Sequence, residues 1–317
     1  MAVRSWVILS LVCCTLVISC TNSKLVLRPL YNSLDDRMGE DLLEYTALTP
    51  ENRQEIRDLI DHFHVWHRKT QLPTYMPLIW EVVGRLRNPE DVDSELVAKW
   101  SRQLRGFTET IGKCNPFYLA SDMIAGFSDE QVAEVKLERI TSRNDWRERR
   151  QKRRAARTTT REERVDESVR KVRRYVGLAG LKLTDAQADD IRTTMLGRKR
   201  LERRFGILID ELDDEFFALV DKRKEPGWEQ ALTDHIDGRR QRFADWSIER
   251  FNYNRQLWED YTVRLINGFS ERQRLFVADW LGGLARTIGV LAADEPGYKG
   301  ATAESYPCKG VVVSRDS

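Results

Sequence analysis

Thr49-Pro50-Glu51-Asn52-Arg53-Gln54-Glu55-Ile56-Arg57-Asp58-Leu59-Ile60-Asp61-His62-Phe63-His64-Val65-Trp66 opens on a hydroxyl residue followed by proline, then sets Ile56, Leu59, Ile60, Phe63 and Trp66 three or four positions apart. Proline at the first helical position loses nothing, because that N–H has no partner inside the helix. The apolar spacing places one stripe along a helix face. The same grammar continues outward. Pro73 and Pro77 are expected to end this helix and start another through Trp80, Val83 and Leu86, which Asn88-Pro89 closes. A further helix is expected from Asp93 to Gly112, with a turn at Asn115-Pro116. Ser128 begins a charged helix toward Arg157, and Thr160 restarts or continues it to Val176.

After Thr184, Leu201, Phe205, Leu208, Ile209, Leu212, Phe216, Leu219 and Val220 form one stripe, and Pro226-Gly227 makes a turn. A long helix then carries Phe243, Trp246, Arg250, Asn254, Leu257, Tyr261 and Leu265 on one side, and Ser270 opens the last helix, to Leu291. No convincing run of strands interrupts the series. The expected fold is therefore all-α, an elongated multi-helix bundle of about eight to ten helices. Its helical domain would cover residues 35–292, with a sub-boundary near 177–183 and an irregular tail at 293–317. Composition agrees: 317 residues, 41% hydrophobic and 32% charged with a mean hydropathy of -0.54, exclude collagen-like, wholly disordered and polytopic membrane chains.

One local pattern recurs. Leu48-Thr49-Pro50-Glu51-Asn52, Phe127-Ser128-Asp129-Glu130-Gln131, Leu183-Thr184-Asp185-Ala186-Gln187 and Phe269-Ser270-Glu271-Arg272-Gln273 each set an apolar residue before a hydroxyl, with an amide three positions after it. This is capping-box chemistry: the hydroxyl oxygen accepts from a first-turn N–H, and the amide reaches back to the cap. The spacings of 79, 56 and 86 residues are unequal, which argues against a solenoid of fixed period.

The N-terminus reads as an export signal. Arg4 precedes the uncharged run Trp6 to Ile18, and Ser19 stands before Cys20, so residues 1–19 are expected to be a signal peptide. The run is shorter than the roughly 20 residues a membrane-spanning helix needs. Val17-Ile18-Ser19-Cys20 resembles the lipobox of bacterial lipoproteins, which implies acylation of Cys20, with residues 20–34 as a lipidated tether. The same resemblance, with Thr21 rather than aspartate after the cysteine, implies the outer membrane, facing the periplasm. Of five cysteines only Cys114 and Cys308 then remain unmodified, free to pair with each other or to stay as thiols.

The four pentads resemble the LTxxQ motif of Spy-type periplasmic stress chaperones. Cys20, Tyr31-Asn32, Leu48-Thr49-Pro50-Glu51, Trp66-His67-Arg68 and Leu72-Pro73 with Tyr75 resemble a family of uncharacterised helical lipoproteins of Gram-negative bacteria, most closely over the first third of the chain. That resemblance implies the tether and the helical fold, and carries no activity.

Between Arg139 and Arg174 stand fifteen basic and six acidic residues, in a chain whose formal net charge is only +2. Arg147, Arg149, Arg150, Arg153, Arg154 and Arg157 are the candidate anion- or partner-binding residues, because guanidinium groups grip phosphate and carboxylate in pairs of hydrogen bonds. Export excludes nucleic acid as their partner. The remaining partners are membrane lipid through acylated Cys20, unfolded or envelope proteins, and anionic envelope polymers. The bland alternative is a solvated helix whose charges pair with Glu162, Glu163, Asp166 and Glu167.

His62, His64 and His67 crowd one helix without the HExxH order, so no metal or other cofactor is expected, and His67 with Trp66 should pack at the helix end. The tryptophans are expected in the core, Trp146 included although it stands among charges. No GxSxG, Walker A, Rossmann or CxxC signature occurs, and catalysis is not expected. The function expected is that of a binding-type lipoprotein, chaperone-like or related to envelope stress, with a structural bridge to an anionic polymer as the alternative.

Overall fold

A computed structural model describes residues 23–33, 48–88, 90–114, 116, 121–156, 159–199, 204–294, 302–303, 306 and 308. Residues 1–19, expected to be a signal peptide, lie outside these residues, as do Cys20, Arg157 and most of the tail. Among the described residues there are eleven α-helices, one π-helical stretch and no strand. The helices are α1 (Ser23–Asn32), α2 (Pro50–Trp66), α3 (Leu72–Arg87), α4 (Ser94–Lys113), α5 (Ser121–Ala125) and α6 (Asp129–Ala155). They continue with α7 (Arg161–Leu178), α8 (Asp185–Gly197), α9 (Arg204–Asp221), α10 (Trp228–Asn267) and α11 (Glu271–Ala293). The fold is an all-α multi-helix bundle.

All four pentads start helices by a reciprocal capping box. Asn52 N donates to Thr49 Oγ1 at 3.2 Å and Gln131 N to Ser128 Oγ at 3.2 Å. Gln187 N donates to Thr184 Oγ1 at 3.2 Å and Gln273 N to Ser270 Oγ at 3.3 Å. In each box the amide oxygen accepts the cap's own N–H. The boxes also meet two by two. Gln131 Nε2 donates to Asn52 Oδ1 at 2.8 Å, joining the starts of α2 and α6 across 79 residues. Gln187 and Gln273 exchange amide hydrogen bonds of 3.1 and 2.9 Å, joining the starts of α8 and α11. Their spare donors go to Gly268 O and Lys182 O, at 3.1 and 2.7 Å.

An amide suits this position because it accepts from its own cap and donates to the facing box. A carboxylate accepts only. A fifth box, Thr160 with Glu163, supports that reading: its carboxylate is exposed and takes the cap N–H at 2.6 Å.

One expectation is corrected. Pro73 and Pro77 do not break the helix. α2 runs into α3 through the π-helical stretch His67–Gln71, where Leu72 N donates five residues back to His67 O. The wider π turn takes up the hydrogen bonding that Pro73, with no N–H, cannot supply. The segment read as a tether is helical from Ser23 to Asn32 and packs on α11, with Tyr31 in a core cluster of Leu72, Ile288 and Leu291.

α11 is long and apolar enough to cross a membrane by length and composition, yet its small residues face α3. Ala278, Gly282, Ala285 and Gly289 repeat at helical spacing and are buried or half-buried. A Cβ on Gly282 would meet Trp80 Cζ3 at 3.4 Å, and one on Gly289 would meet Met76 Sδ at 3.4 Å. The stripe lets the two helix axes approach closely, and Val83, Leu86 and Ala278 close the interface. α10 joins the layers. Val263 and Ile266 pack on Trp100 and Val97 of α4, while Tyr261 packs on Val169 of α7 and Ile191 of α8. Asn267 pairs with both backbone groups of Val92, accepting and donating at 2.9 Å.

The two open alternatives for the cysteines are resolved: Cys114 and Cys308 form a disulfide, with Cα atoms 5.4 Å apart. Beside it Tyr306, buried, donates its hydroxyl to Cys114 O at 2.6 Å and packs on Phe63 and Trp66. These tail residues close the end of α2 and are part of the core.

Reduction of this disulfide should cost roughly 3–5 kcal/mol, since the bridge closes a long loop. Trp66 emission should shift to the red. Unchanged emission and an unchanged denaturation midpoint would show that the tail does not cover this cluster. Ala278→Leu should destabilise by about 1–3 kcal/mol in urea denaturation through overpacking against α3; a neutral result would contradict the close approach.

Candidate functional site

The basic segment lies on α6, and α9 decides which of its charges are available. Asp210, Asp213, Asp214 and Asp221 fall on one face of α9, opposite Lys136, Arg139, Arg143 and Arg147 of α6. Lys136 Nζ meets Asp221 at 2.6 Å, Arg139 Nε donates to Asp213 at 3.0 Å and Arg143 to Asp214 at 3.0 Å. Arg147 pairs with Asp210. Asp213 is buried, and Arg239 of α10 approaches it as well, at 3.7 Å. An open groove between the helices is lined by Ile140, Phe217 and Ala218 with these charges on its rims. The exposed pairs at the two ends, Lys136–Asp221 and Arg147–Asp210, contribute about 0–1 kcal/mol each, so they set register more than they add stability.

Arg147 is thereby spent on an internal partner. Of the acids expected to neutralise the segment, Glu167 does pair within it, with Lys171, whereas Glu163 caps α7 and Asp166 pairs with Arg192. Arg149, Lys152 and Arg153 make contacts within α6 itself. Arg149 lies 3.9 Å from Asp145 and Lys152 2.6 Å from Glu148, both within the helix. Arg153 Nε donates to Arg149 O at 3.3 Å. Arg150 stacks over the Trp146 ring, 4.9 Å from its centre. Trp146 is 38% exposed, which corrects the expectation of burial. Trp80 is also exposed, lying across Gly282. The Arg154 side chain and Arg157 lie outside the described residues.

A second constellation was only half visible in the sequence. Tyr31-Asn32, Trp66-His67-Arg68 and Tyr75 converge where α1, the π-helical stretch and α3 meet. Tyr31 Oη lies 2.7 Å from His67 Nδ1, and Tyr75 Oη 3.2 Å from His67 Nε2. One ring nitrogen therefore donates and the other accepts. His64 packs against the Tyr31 ring at 4.7 Å between centres. Burial, then the neighbouring His64 and Arg68 charges, lower His67 to about 3, and burial raises the Tyr75 hydroxyl. The imidazole is neutral at physiological pH and acts as a wedge between two phenols, in keeping with its expected packing role. Arg68, buried at 3% exposure, donates to Asn32 Oδ1 at 2.7 Å and lies over the Tyr31 ring. The spacing of Trp66-His67-Arg68 marked a helix end. Nothing in it announced Tyr31, 36 residues earlier, as the partner of His67.

Because the folded His67 value lies below the ordinary 6.5, the unfolded chain binds a proton that the folded chain does not as pH falls from 6.5 toward 3. Stability should therefore fall across that window, by about 2 kcal/mol at pH 5 from this group. His67→Gln, compared by urea denaturation at pH 7 and pH 5, should flatten the dependence; an equal slope would place the proton elsewhere.

Searches of curated proteins and of solved structures return no match for this chain. A family profile matches residues 44–250, from the segment before α2 to the middle of α10, and its description is a family of unknown function, DUF6279. The basic arm and the His67–Arg68 π stretch both fall inside the matched region, and the chain belongs to the DUF6279 family.

Proposed function

We propose that this protein is an exported, lipid-anchored envelope protein of binding type, held at the outer membrane facing the periplasm through Cys20. One observation carries the reading: Cys114 and Cys308, the cysteines left after removal of residues 1–19 and acylation of Cys20, are joined in a disulfide. Disulfides persist in oxidising compartments such as the periplasm and are reduced in the cytosol. The lipobox-like Val17-Ile18-Ser19-Cys20 supplies the route there.

The binding element in this proposal is the arm of α6, α9 and α10. Exposed apolar side chains gather on it, including Leu137, Ile140, Trp146, Ile207, Ile248 and Phe251, beside the open arginines of α6. A mixed basic and apolar surface suits unfolded or membrane-bound polypeptides, which present both apolar segments and carboxylates. A second reading rests on the basic side chains Arg149, Arg150 and Arg153 of α6, which would grip an anionic envelope polymer and bridge it to the membrane.

Radiolabelled palmitate should enter the wild-type chain and not Cys20→Ala; an unlabelled wild type would remove the anchor. Neutralising Arg149, Arg150 and Arg153 to glutamine should abolish a salt-sensitive pull-down of envelope polymer if the second reading holds. The first reading instead requires that near-equimolar protein slows aggregation of a denatured client, and fails if it never does.

A further inference from the structure

Among the described residues, Arg68 and Arg223 are almost wholly buried, and they are treated differently. Arg223, at the end of α9, donates from Nε and Nη2 to Phe127 O at 3.0 and 2.9 Å and pairs with the Asp129 carboxylate. Its charge is neutralised and its fork is filled. Arg68 has the same burial and none of this. Among the described residues its guanidinium makes one hydrogen bond, to an amide oxygen, and one ring contact, with no carboxylate in reach. Its Nε is buried without a hydrogen-bond partner.

A buried cation in this condition is costly, and native chains pair such charges. A neutral amide and a phenol ring offset part of that cost, and Nε, one member of the guanidinium edge that best matches an oxyanion, is left unused. The surroundings are arranged to keep a charge there rather than to dissipate it. His67, the next residue, is held neutral between two tyrosines and cannot add a second cation. The buried Gln71 amide follows within the same π-helical stretch. π-Helical insertions recur at functional sites because they re-aim side chains out of the ordinary helical register. Asn32, which holds Arg68 Nη2, is itself exposed at the end of α1, so the arginine fork begins directly beneath the protein surface.

We propose that Arg68 anchors a binding site for one small oxyanion, a carboxylate or phosphate group, which enters beside Asn32 and completes the buried cluster of Tyr31, His67 and Arg68. The site stands apart from the basic arm and does not depend on the reading given above for the arm or the lipid anchor.

The test is calorimetric titration and thermal denaturation of the full-length chain with inorganic phosphate and with acetate, against chloride at matched ionic strength. A further arm uses vesicles of phosphatidylglycerol, which separates a lipid headgroup from a free anion. The expected result is one saturable site per chain for at least one probe and a melting temperature that rises with occupancy. Binding should weaken roughly tenfold or more in Arg68→Gln, the loss typical of a charged hydrogen-bonded pair. Asn32→Asp provides a second measurement that does not remove the buried cation. By supplying a carboxylate to Arg68 it should raise the melting temperature without ligand and suppress the response to the probe. No probe binding beyond chloride, an equal response in Arg68→Gln, or an Asn32→Asp chain that neither gains stability nor loses the response would each overturn the proposal.

Discussion

A helix start has orphan N–H groups, and in this chain those at four helix starts are satisfied in mutually dependent pairs. The amide three residues into each helix accepts the cap N–H with its oxygen, which leaves its NH2 to find an acceptor. For Gln131, Gln187 and Gln273 that acceptor is the amide oxygen of another box, so the starts of α2 and α6, and of α8 and α11, are each fixed to one another. Gln131, Gln187 and Gln273 are each 8% exposed. At that burial an unmatched amide would cost about 1–3 kcal/mol, so the pairing is selective as well as favourable. It specifies which helix ends meet in a chain whose helices are otherwise alike in composition.

The rest of the structure hangs from these two clasps. The first sets α2 beside α6, with Leu48 packed on Phe127 and Ile60 beneath them. From there α2 continues through the π turn into α3, whose Met76 and Trp80 lie across the glycines of α11. The second clasp starts α11 next to α8, so the small-residue stripe of α11 arrives in register with α3. α6 extends along α9 on a ladder of charges. The ladder marks off an arm, whose outer surface is available to partners, from the packed part of the molecule.

Much of this was legible from local signals. Capping boxes, apolar stripes and Pro-Gly turns act within a few residues, and the helices begin where Thr49, Ser128, Thr184 and Ser270 indicated. What could not be read lies in contacts between distant residues. The amide of Gln187 looks the same whether it faces water or Gln273, 86 residues away. Arg147 was a sound candidate for an external anion until Asp210 was placed against it. Pro73 reads as a helix breaker because its missing N–H is a local fact, whereas the π stretch that accommodates it is secured by the Tyr31–His67–Tyr75 contacts of three separate segments. The contrast between Glu163 and the amide boxes shows what finer signal was present: the residue type at the third helical position distinguishes a solitary start from a paired one.

The central claim is that these amides act as pairs, and a double-mutant cycle on Gln187→Ala and Gln273→Ala, followed by urea denaturation, tests it most directly. The account predicts a coupling energy of about 1 kcal/mol or more between the two positions, because each single change already leaves one buried N–H of the other amide without its acceptor. Effects that add within about 0.5 kcal/mol would mean two independent caps and would contradict it.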